Sequence, residues 1–202
     1  MLHRFALAEL PATPWKNGGG STREIACCPP GADLHGFDWR VSIATIDRSG
    51  PFSVFAGVDR CIALLAGDGV ALHAPQAGWQ HRLDSPLQPF TFSGDDAVDC
   101  TLLGGTSTDF NVMTRRGTLC ADVQALHTPA WLPATPQGLL LAVRGTWLVH
   151  SSASAPASAD AMALAEGHGL WWHAMPQAWH IQPQSDGAQL LWVALTDGRH
   201  KS

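Results

Sequence analysis

The sequence predicts an all-β fold built as two similar units, and three observations predict it. Short apolar runs recur at 39–46, 61–65, 69–73, 89–93, 98–103, 138–143, 146–150, 170–173 and 189–195, divided by Gly, Pro, Asp and Ser. Short runs rich in β-branched and aromatic residues and bounded by turn signals are the pattern of a sandwich or barrel. Helical periodicity is nearly absent; its best candidate is the short stretch 119–126, where Leu119, Val123 and Leu126 recur near helical spacing. The third observation is a weak internal repeat. IALLAGDGVALH (62–73) and LLAVRGTWLVH (140–150) both run apolar strand, glycine turn, apolar strand, His. Each copy continues through a strand with a glycine turn (90–94; 163–170) to a closing apolar strand (98–103; 190–195), with the seam between units near 117–135. The units are set at 1–118 and 119–202.

Taken in order, the first element is the segment 14–25, PWKNGGGSTREI, with its three glycines Gly18, Gly19 and Gly20. Glycines reach positive φ and expose successive N–H groups, so the segment suits either a wide turn or close approach to a ligand. It has neither the spacing of a phosphate-binding GxxxxGK[ST] loop nor a GxGxxG between strand and helix. In FDWRVSIATI (37–46), alternation puts Trp39, Val41 and Ile43 on one face and Arg40, Ser42 and Ala44 on the other. If the second face lines a barrel, Arg40 needs an acidic partner (Glu24, Asp47 or Asp59) or an anionic ligand, because an unpaired buried charge is very costly. The Ser/Ala stretch 151–161 is expected to be a mobile hairpin loop in the second unit.

Composition bounds the function. Apolar residues are 46% of the chain and charged residues 14%, which places it among globular proteins and not disordered ones. Twelve basic against 17 acidic side chains, with no basic stripe, argue against nucleic acid as a partner. No run approaches a membrane span and the start does not read as a secretory signal, so the expectation is a cytoplasmic protein with no membrane partner. Cys27, Cys28, Cys61, Cys100 and Cys120 form no CxxC pair and are expected as reduced, buried thiols.

WKNGGGSTREI, the run from Phe37 to Leu72, FSGD at 92–95 and DFNVMTRRG at 109–117 resemble the HutD/Ves family, specifically over residues 3–117 and weakly beyond. The resemblance implies a bicupin of two jelly-roll-like β-barrels and a link to histidine utilisation or stress response, without implying a reaction. It also implies the motif positions Trp15, Asn17, Gly18, Gly19, Gly20, Thr22 and Glu24, then Trp39, Arg40 and Ser42, then Phe52, Ser53, Asp59 and Arg60, then Asp109, Phe110 and Asn111. From these the expected ligand-binding set is Trp15, Asn17, Gly19, Thr22, Glu24, Trp39, Arg40, Ser42, Phe52, Ser53, Arg60, Asp109 and Asn111. Arginine can hold a carboxylate bidentately, Asn, Ser and Thr can satisfy its other lone pairs, and Trp or Phe can pack its body. The expected ligand is a small carboxylate of the urocanate or N-formylglutamate type, held by Arg40 and Arg60.

No catalytic residue is assigned. The alternative is a metal-independent isomerase or hydrolase with Glu24 as general base; a pure interaction scaffold would have its pocket residues paired internally. No metal and no cofactor are expected. After the turn at 67–69 comes only His73, with Gln76 and His81 beyond, and His150, His168, His173 and His180 lie on separate segments. A GxSxG elbow is missing too. Trp147, Trp171, Trp172, Trp179 and Trp192 crowd the second half, suiting a core or a subunit interface more than a sugar platform. That half is expected to support the first or to pair two copies as a homodimer.

Overall fold

The computed structural model describes residues 1–34, 36–151 and 161–198. The stretch expected as a mobile loop, 151–161, lies almost wholly outside them. The described chain is all-β apart from a 3₁₀ turn at Leu7–Glu9. In chain order the strands begin β1 (Leu2–Ala6), β2 (Ala12–Pro14), β3 (Gly20–Cys28), β4 (Trp39–Ile46), β5 (Gly50–Pro51) and β6 (Val58–Ala66). Next are β7 (Val70–Ala74), β8 (Trp79–Leu83), β9 (Phe90–Ser93), β10 (Asp99–Leu102), β11 (Ser107–Arg115) and β12 (Leu119–Leu126). The last are β13 (Ala130–Thr135), β14 (Gln137–Arg144), β15 (Trp147–Ser151), β16 (Met162–Leu164), β17 (His168–Trp172), β18 (Gln177–Pro183) and β19 (Gln189–Asp197).

Two compact units result. The N-terminal unit, Leu10–Ala121 with the described part of Asp197–Ser202, holds a six-stranded sheet ordered β2-β3-β4-β11-β6-β9 and a four-stranded sheet ordered β5-β10-β7-β8. The C-terminal unit, Met1–Glu9 with Asp122–Thr196, is built on sheets ordered β1-β17-β14-β19-β12 and β13-β18-β15-β16. The first nine residues, expected in the first unit, therefore belong to the second, because β1 pairs antiparallel with β17. The stretch 119–126, the best helical candidate, is strand β12: Gln124 donates to Asp122 Oδ2 at 2.6 Å, an i, i+2 contact available on one face of a strand.

Adding eight to the strand numbers β4 to β11 reproduces β12 to β19 with the same neighbours: β4-β11-β6-β9 becomes β12-β19-β14-β17, and β5-β10-β7-β8 becomes β13-β18-β15-β16. The repeat seen in the sequence is thus a repeated topology. Its two halves are not hairpins, since β6 and β7, like β14 and β15, lie in different sheets and the glycine turn carries the chain across. The closing strands also pair differently from the expectation: β10 (99–102) corresponds to β18, and 190–195 in β19 corresponds to β11.

Each unit buries its core between its two sheets. In the N-terminal unit Ile46, Ile62, Leu64 and Phe92 from the six-stranded sheet meet Val70, Leu72, Leu83 and Cys100 from the four-stranded one. In the C-terminal unit Leu140, Leu170, Trp172, Leu190 and Trp192 meet Trp147, Val149, Leu164, Trp179 and Ile181. Trp147, Trp172, Trp179 and Trp192 are therefore core residues, while Trp171 stacks on His3 with centroids 4.0 Å apart.

Candidate functional site

The N-terminal unit carries a polar row on the inward face of its larger sheet. Antiparallel register sets Glu24 opposite Ser42 and Ser42 opposite Asn111, and sets Arg40 and Arg60 on either side of Met113. Because side chains alternate, Arg40 and Ser42 share a face, as do Arg60, Ile62 and Leu64. A β-bulge between Glu24 and Ala26 shifts β3, so that Cys27 pairs with Arg40 while Glu24 still faces Ser42.

The two arginines differ in their surroundings. Arg40 donates from Nε to Glu24 Oε2 at 2.7 Å and from Nη1 to Ser42 Oγ at 3.5 Å. It is neutralised by Glu24, one of the three partners its face suggested, while Asp59 turns instead to Arg116 at 2.7 Å. Arg60 donates from Nε and Nη2 to Asn111 Oδ1 at 3.3 and 3.1 Å, and Asn111 in turn donates to Ser42 Oγ at 3.5 Å. Among the described residues Arg60 forms no ion pair. The guanidinium carbon lies 5.2, 5.8 and 5.0 Å from the ring centroids of Phe52, Phe55 and Phe92, within cation–π range. Burial, then the like charge of Arg40, lower its pKa to about 10, so it stays a cation at neutral pH.

Asp109 shares this interior. It is 2% exposed and its Oδ1 has no hydrogen-bond partner. Burial pushes its carboxyl up to about 7 against the pull of Arg60. Cys100 is raised to about 12 by burial and by Asp109, so it remains a neutral thiol.

A cavity of about 230 Å³ opens in the same unit, lined by Trp15, Asn17, Gly19, Ile46, Arg48, Ser49, Gly50, Pro51, Phe52 and Cys100. The glycine-rich segment forms one wall. Asn17 Oδ1 accepts from the Gly19 N–H at 2.9 Å, Gly18 takes φ +67°, and Trp15 Nε1 donates to Thr22 Oγ1 at 2.8 Å. Phe52 and Cys100 connect the two regions, Phe52 by its ring against Arg60 and Cys100 by its electrostatic coupling to Arg60 and Asp109.

Of the expected binding set, Trp15, Asn17, Gly19 and Phe52 line the cavity, Arg40, Ser42, Asn111, Arg60 and Asp109 form the polar row, Glu24 pairs with Arg40 from its exposed end, and Thr22 supports Trp15. Two stand apart. Trp39 is fully buried on the β4 face opposite Arg40, and Ser53 is solvent-exposed. Sequence reasoning missed Arg48, Phe55, Phe92 and Cys100; Phe92 had a signal, as the first residue of FSGD. Among the described residues no group of three or more His, Cys, Asp or Glu is placed to hold a metal, and no helix is long and apolar enough to cross a membrane.

The repeated topology supplies an internal control. The β6–β11 and β14–β19 ladders both skip a register step, between Thr108 and Asp109 and between Ala142 and Arg144, which aligns them residue by residue. Arg60, Ile62 and Leu64 then correspond to Gly138, Leu140 and Ala142, and Asp109, Asn111 and Met113 to Leu190, Trp192 and Ala194. Phe92 corresponds to Trp172. A Cβ on Gly138 would lie 2.5 Å from Trp172 Cζ2, so an indole fills the space taken in the other unit by the start of the Arg60 side chain.

The HutD family model matches residues 7–192. The chain belongs to the HutD family. It is similar to protein Ves of Citrobacter koseri, 41% identical over 144 residues, 71% of this chain and 73% of that one. A Pseudomonas putida protein of 21.2 kDa, uncharacterised and named for the hutC 3′ region, is 49% identical over 105 residues, 52% and 54% of the two chains. A solved HutD from Pseudomonas fluorescens SBW25, in a formate condition, superposes with TM-score 0.79 and 30% identity over 98% of this HutD-family chain and 99% of that one. Lactobacillus farciminis oxalate decarboxylase superposes with TM-score 0.64 at 9% identity, over 97% and 86%; that likeness carries the cupin-like fold alone.

Proposed function

We propose that this HutD-family chain is a cytoplasmic accessory or regulatory protein of histidine utilisation that binds a small carboxylate, of the urocanate or N-formylglutamate type, beside Arg60. On the same reading, each pair of sheets is one cupin-type barrel, and the N-terminal barrel holds a pocket that works without metal. The observation that carries the proposal is Arg60: a half-buried cation whose side-chain hydrogen bonds, among the described residues, go to a neutral amide, at a position where the repeated unit has glycine and an indole. An unpaired interior cation is costly, and an arriving carboxylate supplies its countercharge. The Phe52, Phe55 and Phe92 rings offer an apolar wall for the body of the acid. The pathway is supported by family membership and by the name of the Pseudomonas putida relative. Thiols without a disulfide among the five cysteines suit a reducing compartment.

One observation favours turnover as a second reading: Asp109, with its pKa near neutrality, is better tuned for proton transfer than Glu24, which Arg40 holds. Calorimetric titration with urocanate, N-formylglutamate and glutamate, with NMR spectra followed over time, tests both. The expected result is saturable binding of a ligand that stays intact, weakened at least about tenfold in Arg60→Ala, as loss of a charge-assisted hydrogen bond requires. No heat with any of the three acids, or equal affinity in Arg60→Ala, would contradict the proposal; conversion of an acid, lost in Asp109→Asn, would establish the enzyme.

A further inference from the structure

Asp109 is the one acid among the described residues of the N-terminal unit that is buried, and no ion pair holds it. Glu24 is taken by Arg40, Asp59 and Asp95 by Arg116, and Asp84 by Arg82. Asp109, 2% exposed, keeps an Oδ1 with no hydrogen-bond partner. The charged and titratable groups that act on it are Arg60 from β6 and Cys100 from β10; Arg40 on β4 acts on Arg60 and is itself bound to Glu24 of β3. The corresponding position in the repeated unit is Leu190, so the strand geometry does not require an acid there.

We infer that Asp109 is the proton-linked half of the anion site: a carboxylate arriving at Arg60 binds together with one proton, carried by Asp109 and shared with the ligand as an O–H···O hydrogen bond. The inference rests on the carboxylate reading above. Two carboxylates beside a single unpaired guanidinium, in an interior of low polarity, cannot both remain ionised. The ligand adds a second negative charge to a space that has one positive charge to spare. Taking a proton from solvent onto Asp109 restores the balance and turns an orphaned acceptor into a donor. No covalent bond between heavy atoms changes; water or buffer gives up the proton, and it returns when the ligand leaves.

A pH profile follows. The empty protein's Asp109 holds its proton below about 7, so there the anion binds without proton exchange and affinity is flat. Above that range each anion must bring its proton, and affinity falls by about tenfold per pH unit. Asparagine at position 109 donates a hydrogen bond without titrating, and so separates the two roles.

The test is calorimetric titration of the full chain with formate and with N-formylglutamate, whose carboxyl groups stay ionised between about pH 6 and pH 9. Each is run in two buffers of unlike ionisation heat. Uptake approaching one proton per anion above neutrality, with affinity declining as the pH rises, is the expected result; in Asp109→Asn the anion still binds, uptake vanishes and the profile flattens. Buffer-independent heats with pH-independent affinity in the wild type would overturn the proton link and leave carboxylate binding standing. Equal proton uptake in Asp109→Asn would do the same. Should neither anion bind at any pH, the proton link and the carboxylate reading both fail.

Discussion

Arg60 and Arg40 sit on the two strands that flank β11, on one face, yet among the described residues only Arg40 has an acid partner. Alternation in FDWRVSIATI made the inward direction of Arg40 legible, and the candidate partner Glu24 was among the acids it pointed to. What local pattern could not carry was which arginine an acid would capture, because that depends on cross-strand register among β3, β4, β11 and β6. Asp109 was legible only through the family motif; nothing in its neighbours along the chain signals that it would be buried beside a cation. Its burial has a consequence for stability. A carboxyl raised from 3.8 to about 7 in the folded state binds its proton more tightly there than in the unfolded chain. Its stabilising contribution is therefore full below about pH 4 and is lost as the pH rises toward 7, an effect of the order of a few kcal/mol. Urea unfolding of the ligand-free protein at about pH 5 and pH 7.5 is expected to show lower stability at the higher pH, with the difference much reduced in Asp109→Asn.

At the level of elements, the short apolar runs mark strands well because each is bounded by turn residues, and Trp39–Ile46 is read to its ends. Strands β8, β13 and β18 escape notice because their apolar residues are sparse or interrupted by Pro, Gln and His. The helical pattern at 119–126 misleads since Leu119 and Val123 satisfy strand alternation as well as helical spacing, and β12 is too short for periodicity to separate the two. The glycine turn expected in the first repeat copy lets the chain change sheets. Gly69 has φ +87°, and a Cβ there would run into the Leu83 carbonyl oxygen. Gly69→Ala is expected to destabilise the protein by more than about 1 kcal/mol, read as a lowered urea midpoint at unchanged m-value.

Across the whole molecule, one topology is used twice and its interiors are filled in two ways. The N-terminal interior keeps Arg60, Asp109 and Asn111 and has a cavity near them; the C-terminal interior replaces those positions with Gly138, Leu190 and Trp192 and packs Trp172 into the space. The repeat was visible in the sequence as a rhythm, but its alignment needed the shared register step, and the place of β1 needed its partner β17, more than 160 residues away along the chain. Trp147, Trp172, Trp179 and Trp192 are the reason the second half yielded no polar motif: they belong to its core. The central claim is that a small carboxylate is held by Arg60 in the N-terminal unit alone. A crystal structure grown with saturating N-formylglutamate tests it most directly. A ligand carboxylate is expected within about 3 Å of the Arg60 guanidinium and none inside the C-terminal unit. A ligand bound elsewhere, with Arg60 still bonded only to Asn111, would contradict it.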